Sequence, residues 1–246
     1  MDQGVKLPAG LAEAAASLDA EGFAHVRAEV LRPVLRHGGL ADWDGFAASW
    51  DDLGLDLYMA DGGRYRRRRF ATFAVAAGEL RRKPQQPHYQ SRDYNALNGG
   101  IARWFEPVTD AIAAHPATQA IIATSDALFS ALTPPATRPA VWHVEMHQFR
   151  IEARADSEGR PTPEGMHRDG VDWVLVLLVR RQNVASGETR VCDLRGAPLG
   201  SFVLTAPQDA ALVDDARVFH GVTPILPLDP AAPAWRDVLV LTFRRE

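Results

Sequence analysis

The segment from residue 141 to the end of the chain constrains the fold most, because it breaks into short apolar or alternating stretches separated by turn residues. VWHVEMHQFRIEA alternates, WVLVLLV is a continuous apolar run, ETRVCDL follows a Ser-Gly turn and SFVLT follows APLG. ALVDD, VFHGVTPI and DVLVLTFRR complete the series. Strands this short, this numerous and this regularly spaced pack as a sandwich or jelly roll.

The first half reads differently. Residues 8–37 carry helical spacing interrupted at Gly22, Gly38-Gly39 closes that unit, and DWDGFAASWDDL places Trp43, Phe46 and Trp50 along one helical stripe. From Gly62, RYRRRRFATFAVA has the Arg, aromatic and apolar content of a strand, with Arg64, Arg66 and Arg68 on one face. KPQQPHYQSRDYNALNGG then reads as a long loop, and IARWFEPVTDAIAAH as a helix. These elements predict one α+β domain, mainly β, with helices packed outside the major sheet. Its parts are a helical stretch at 1–61, a strand, lid loop and helix at 62–140, and a jelly-roll core at 141–246. The N-terminal helices fit equally a brace for the sheet and a dimer contact.

A net charge of -4 argues against a surface built for nucleic acid, although the Arg cluster beside Tyr65 and Phe70 has the composition of a stacking platform. The single cysteine, Cys192, excludes an intrachain disulfide and a Cys-based metal knuckle and fits the cytoplasm. Neither a secretory leader nor an apolar run long enough to span a bilayer is present, so a soluble protein is expected. A Ser-His-Asp triad or a phosphate-binding Gly loop cannot be assembled from the spacings.

The chemistry concentrates at MHRDG, just before WVLVLLV. In an extended segment residues i and i+2 point the same way, so His167 and Asp169 can converge on one ion while Arg168 points away. His220, in ARVFHGVTPI, supplies a third ligand from a different strand. Two imidazoles and one carboxylate on one face of an octahedron leave open positions, the arrangement of non-haem Fe(II) oxygenases. Arg236, at the head of the last strand, is placed to pair bidentately with the distal carboxylate of a 2-oxoglutarate cosubstrate, with Arg244 in reserve.

The blocks HQFRIEA, PEGMHRDGVDW, RRQNVASGETRV, VFHGVTPI and WRDVLVLTFR together make residues 62–246 resemble the 2-oxoglutarate/Fe(II)-dependent dioxygenases, in the branch containing bacterial hydroxylases of free isoleucine. The resemblance implies a double-stranded β-helix of the jelly-roll, cupin-like kind. It also implies His167, Asp169 and His220 on iron, Arg236 on 2-oxoglutarate, and O₂ as oxidant. Ser186 stands where the pattern calls for a second glycine. With Asp169 present as a ligand there is no vacancy for a halide, so hydroxylation of an unactivated C–H bond is expected. The expected substrate is a small free amino acid, its carboxylate met by a guanidinium of Arg64, Arg66 or Arg68, with Gln148, Arg150 or Glu188 lining the funnel mouth. The loop at 86–100, with His88, Tyr89, Asn95 and Asn98, is a candidate lid. His147 is expected to line the site or support a ligand, and His25, His37 and His115 to be surface or capping residues. Two other readings use the same residues, a non-catalytic metal-binding jelly-roll module and a hydroxylase of protein side chains.

Overall fold

Strand alternation in the C-terminal half sorts side chains onto two faces, and this sorting builds both the core and the pocket. In this computed structural model, which describes residues 5–95 and 97–246, seven antiparallel strands form the major sheet. They are β1 (Phe23–Val26), β2 (Arg66–Ala76), β3 (Glu79–Arg82), β4 (Trp142–Ala153), β5 (Trp173–Gln182), β9 (Ala210–Asp214) and β12 (Ala234–Arg245), in the order β1-β9-β5-β12-β4-β2-β3. Facing it are a three-stranded sheet, β10 (Val218–Val222), β7 (Glu188–Asp193) and β8 (Pro198–Val203), and a two-stranded one, β11 (Ile225–Pro227) and β6 (Val184–Ser186). The fold is a jelly roll.

On β12, Leu239, Leu241 and Phe243 enter a core shared with the helices, whereas Arg236, Val238, Val240 and Thr242 face inward. On β4 the helix side takes Trp142, Val144 and Met146, and the inner side takes His143, Glu145, His147, Phe149 and Ile151. Full burial of each large apolar side chain on the helix side stabilises the fold by about 1.5–3 kcal/mol. Helices α1 (Ala12–Glu21), α2 (Ala28–His37) and α5 (Pro116–Leu132) cover that side. Short α3 (Trp43–Ala48) and a turn of 3-10 helix at Ser49–Asp52 bring in Phe46 and Trp50, both fully buried. The Trp50 indole N–H donates across the sheet to the carbonyls of Phe149 (3.1 Å) and Val238 (3.3 Å).

The helical reading of residues 8–37 needs one correction. Gly22 does end α1, in the left-handed region at φ 81°, but the chain then forms β1, which pairs with β9 as an edge of the major sheet. Four residues between two helices are too few to show a period of two. The helix expected over IARWFEPVTDAIAAH is also displaced. Residues around Phe105 and Pro107 are pinned in extended form because Phe70 N–H donates to Glu106 O and Val108 N–H to Phe70 O, and a residue preceding proline disfavours the helical region. Only α4 (Asp110–Ala113) lies in that segment. The long helix comes next, its first turn opened by Pro116 and capped by the His115 ring, which accepts from Ala117 N–H.

Candidate metal centre and active-site pocket

The inner faces of the sheets enclose a cavity of about 310 Å³, of a size for small molecules. At its wall the segment leading into β5 meets β10. His167 N–H donates to His220 O and His220 N–H to His167 O, both at 2.9 Å, so a backbone bridge fixes the two imidazoles side by side. Asp169 completes the group: its Oδ1 lies 3.6 Å from His167 Nε2 and its Oδ2 3.4 Å from His220 Nε2. The three ligand atoms fall within 4.8 Å of one another, close enough to hold one ion. His167 Nδ1 lies 3.0 Å from Gly165 O, which as an acceptor holds the proton on Nδ1 and leaves Nε2 as the electron-pair donor.

A buried carboxylate that the sequence reading missed positions this group. Asp215, fully buried, accepts from the N–H groups of Asp169 (2.8 Å), Gly170 (2.7 Å) and Val171 (3.1 Å) and so clamps the loop carrying Asp169. Its signal in the sequence was the second aspartate of ALVDD, just upstream of His220. Burial would depress the His220 pKa, but Asp169 and Asp215 outweigh it and raise it to about 10. Burial likewise opposes ionisation of Asp169, yet His167 and His220 hold its carboxyl well below the usual range. At 3.4 and 3.7 Å the contacts of His220 Nε2 with these carboxylates are ion-pair distances, and that nitrogen has no hydrogen-bond partner. The spot favours a cation, and an orphaned imidazole nitrogen beside a carboxylate is the donor set a divalent iron takes.

Arg236 opens into the same cavity, 1% exposed, with Nε and Nη2 lacking any partner. Burial, with Arg181 nearby, lowers its pKa to about 10. An unpaired guanidinium buried here is costly unless an anion joins it. The orphaned donors therefore fit a dicarboxylate cosubstrate. Gly187 lies beside it at φ 78°, where a Cβ would crowd Ile225 at 3.0 Å rather than Arg236. Ser186, the residue that departs from the family pattern, sits at φ 64°, a region that favours glycine.

The substrate donors expected from the sequence separate by strand parity. Arg66 and Arg68 are buried on the inner face and line the cavity, but Arg64 precedes β2 and is exposed. Gln148 and Arg150 occupy the alternate positions of β4 and leave through the opposite face. Gln148 donates to Ser49 Oγ (2.8 Å), and Arg150 pairs with Asp237 (2.7 Å). Glu188 lies outside the cavity as well, bound to Arg190 and Ser201. His88, Tyr89 and Asn95 of the long loop do line the cavity, and Asn98 instead accepts from Ala60 N–H (3.0 Å). Gln90 of that loop reaches Asp169, its Nε2 lying 3.3 Å from Oδ1.

His147 lines the cavity within a second cluster. Glu145 receives His88 Nδ1 (2.8 Å) and stands 3.4 Å from His147 Nε2 and 3.7 Å from His143 Nε2. His88, Glu145 and His147 also satisfy the spacing of a metal site. Arg68 disfavours that use, because its guanidinium donates to His147 Nδ1 at 2.5 Å and brings positive charge to the cluster. Burial drives the His147 pKa down to about 3, so the ring is a neutral acceptor for Arg68.

A jelly roll carrying two histidines and an aspartate at a cavity wall defines the class of non-haem iron oxygenases. The chain belongs to the 2OG-Fe dioxygenase family, whose model matches residues 47–242. That family's cofactors are Fe(II), 2-oxoglutarate and O₂. The solved structure of a bsmA homolog from Methylobium petroleophilum PM1 is 40% identical, with a TM-score of 0.86 over 98% of this chain and 95% of that one. The L-isoleucine-4-hydroxylase of Bacillus thuringiensis is 28% identical over 156 residues, a match that spans 63% of this chain and 64% of that protein. The 3(1)-hydroxy-L-isoleucine 4-dioxygenase of Pantoea ananatis (strain AJ13355) is 23% identical over 68% of each chain. No helix among the described residues is long and apolar enough to cross a membrane.

Proposed function

We propose that the protein hydroxylates an unactivated C–H bond of a small free amino acid, using Fe(II), 2-oxoglutarate and O₂. His167, Asp169 and His220 hold the iron and Arg236 holds the cosubstrate's distal carboxylate. The observation that carries the reading is the orphaned, buried Arg236 guanidinium opening into the same cavity as the three converging ligand atoms. Two relatives named for isoleucine chemistry support the substrate class. The single cysteine supports a reducing, cytoplasmic setting. We read residues 1–246 as one dioxygenase domain.

Iron bound at this site, with 2-oxoglutarate and O₂, supplies the oxidising power for the C–H bond as the cosubstrate is decarboxylated to succinate. The chain's own residues bind, orient and shield. Gly165 O fixes the tautomer of His167, Asp215 pins the backbone of Asp169, and Arg236 sets the direction in which a dicarboxylate lies. The loop bearing His88, Tyr89 and Gln90 covers the cavity, limits the entry of water and contacts Asp169 through Gln90.

The test is succinate formation by anaerobically Fe(II)-loaded protein exposed to O₂, with and without a panel of free amino acids. Turnover stimulated by one amino acid and lost in His167→Ala is the expected result. Bound iron without turnover on any amino acid overturns the substrate reading in favour of a protein side chain or a non-catalytic role.

A further inference from the structure

Besides Arg236, the cavity holds two charged side chains of opposite sign, each with polar atoms that no hydrogen bond satisfies. Arg103 is 2% exposed, and its Nε and Nη2 are shielded from solvent without a hydrogen-bond partner. Glu164 Oε2 is shielded and unpartnered in the same way. Both residues line the cavity. Glu164 is among the charges that bear on Arg103, after Arg66 and Asp56, yet no hydrogen bond joins the two.

The remaining charges of the cavity are engaged or exposed. Arg66 pairs with Asp56 at 2.7 Å, Arg68 lies 3.6 Å from the same carboxylate and bonds His147, and Glu145 is ringed by three histidines. Asp169 belongs to the metal group, Arg236 to the cosubstrate in the proposed reading, and Arg244 is exposed to solvent. Shielding a charged atom from solvent without a hydrogen-bond partner is costly, and here that holds for both signs. A ligand bearing only a negative or only a positive charge relieves one of them. A zwitterion, neutral overall, relieves both at once.

We infer that Arg103 and Glu164 form a clamp for the head of a zwitterionic amino acid, the guanidinium taking its carboxylate and the Glu164 carboxylate its ammonium group. This rests on the amino-acid reading and specifies how it is achieved. Position supports it from both sides. Glu164 Oε1 lies 3.7 Å from His167 Nε2, so the ammonium end is held beside the metal group. Arg103 pairs its backbone with His88, N–H to O in both directions at 2.9 Å, within the loop whose Gln90 touches Asp169. The carboxylate end is thus held by the segment that also contacts the metal group. Val171, Val174 and Val176 line the cavity and offer an apolar wall to an aliphatic side chain.

The experiment is calorimetric binding to the anaerobic Fe(II) and 2-oxoglutarate-loaded protein. The best-binding L-amino acid of a full panel is compared with its carboxamide, which keeps the ammonium, and with its deaminated acid, which keeps the carboxylate. Arg103→Met is expected to weaken the intact amino acid ~10- to 100-fold and the carboxamide, which keeps only a neutral carbonyl acceptor, far less, with Arg103→Lys intermediate. Glu164→Gln is expected to weaken the intact amino acid and leave the deaminated acid unchanged. This crossed pattern is one that a merely structural role does not produce. Equal weakening of all three probes by either variant, or of none, overturns the clamp. Failure of the native protein to bind any amino acid overturns the substrate reading itself. Thermal melts of each variant establish folding, and Glu164→Gln and Arg103→Lys keep the test decisive if Arg103→Met does not fold.

Discussion

Arg236 and Asp237 are neighbours on β12, both shielded from water, and their side chains leave the sheet on opposite faces. On the outer face Asp237 accepts from Arg150 at 2.7 Å and from Arg180 at 3.0 Å, and both guanidiniums stack over Trp235 and reach Asp51. On the inner face Arg236 has no partner for Nε or Nη2. The same strand thus carries one ion bonded within the fold and one with two nitrogens that have no partner in it. Burial and charge do not separate the two kinds of residue; satisfaction does.

That contrast breaks most directly at Arg236. Arg236→Met is expected to weaken 2-oxoglutarate binding about 100-fold or more, because a bidentate, charge-assisted pair is lost. Its thermal midpoint is expected to hold or rise, since an uncompensated buried charge has been removed. Calorimetry with 2-oxoglutarate and a melt of the same preparation check both halves. A large fall in stability with cosubstrate affinity intact makes Arg236 structural and passes the cosubstrate role to Arg244.

Asp237→Ala is the mirror case. It strips Arg150 and Arg180 of their buried partner, and the expected loss is about 2–4 kcal/mol, because Asp51 and some water remain to the two guanidiniums. In a chain of this size that is a fall of roughly 5–15 °C in Tm. Affinity for 2-oxoglutarate is expected to stay within twofold, measured on protein held below the new midpoint. Cosubstrate binding that falls together with stability would show the two faces to be coupled through the strand.

The sequence was most legible where one short segment carried its own geometry. The His-x-Asp before an apolar strand, the later His-Gly and the arginine opening the last strand all reach one cavity, and the strand pattern after residue 141 became the sheets. Legibility failed where parity or distance decides. Gln148 and Arg150 differ from His147 and Phe149 only in register, and an alternation with polar residues on both faces does not say which face is inward. Glu164 and Arg103 line the cavity and Asp215 holds the Asp169 backbone, but the three come from separate stretches of the chain, so no spacing announces them. The edge strand β1 and helix α5 were hidden for a local reason, a four-residue strand set between helices and a long helix behind a proline-pinned extended segment.

The inner face is not wholly unsatisfied, and Asp56 supplies the carboxylate that pairs with Arg66 and Arg68 there. Its carboxylate, buried with Arg66 at 2.7 Å and Arg68 at 3.6 Å, would be pushed up by burial, but the two guanidiniums hold its pKa below the ordinary 3.8. A folded pKa below the unfolded one means that the ionised carboxylate contributes stability in full above the unfolded value, and that the contribution is lost as pH falls through the folded one. Asp56→Asn keeps the shape and the Oδ1 acceptor for Tyr58 N–H, but removes the charge and replaces the Oδ2 that accepts from Arg66 Nε with an amide nitrogen that donates. The expected penalty is about 1–2 kcal/mol at pH 7. It should stay level from pH 8 to about pH 5 and shrink below about pH 4, as the native protein protonates Asp56 and loses the same interaction. Denaturant melts of both proteins across that range measure the difference directly. A penalty that persists undiminished below pH 3 would mean that the charge of Asp56 is not what holds Arg66 and Arg68, and that their placement comes from the aromatic faces of Phe105 and Phe149.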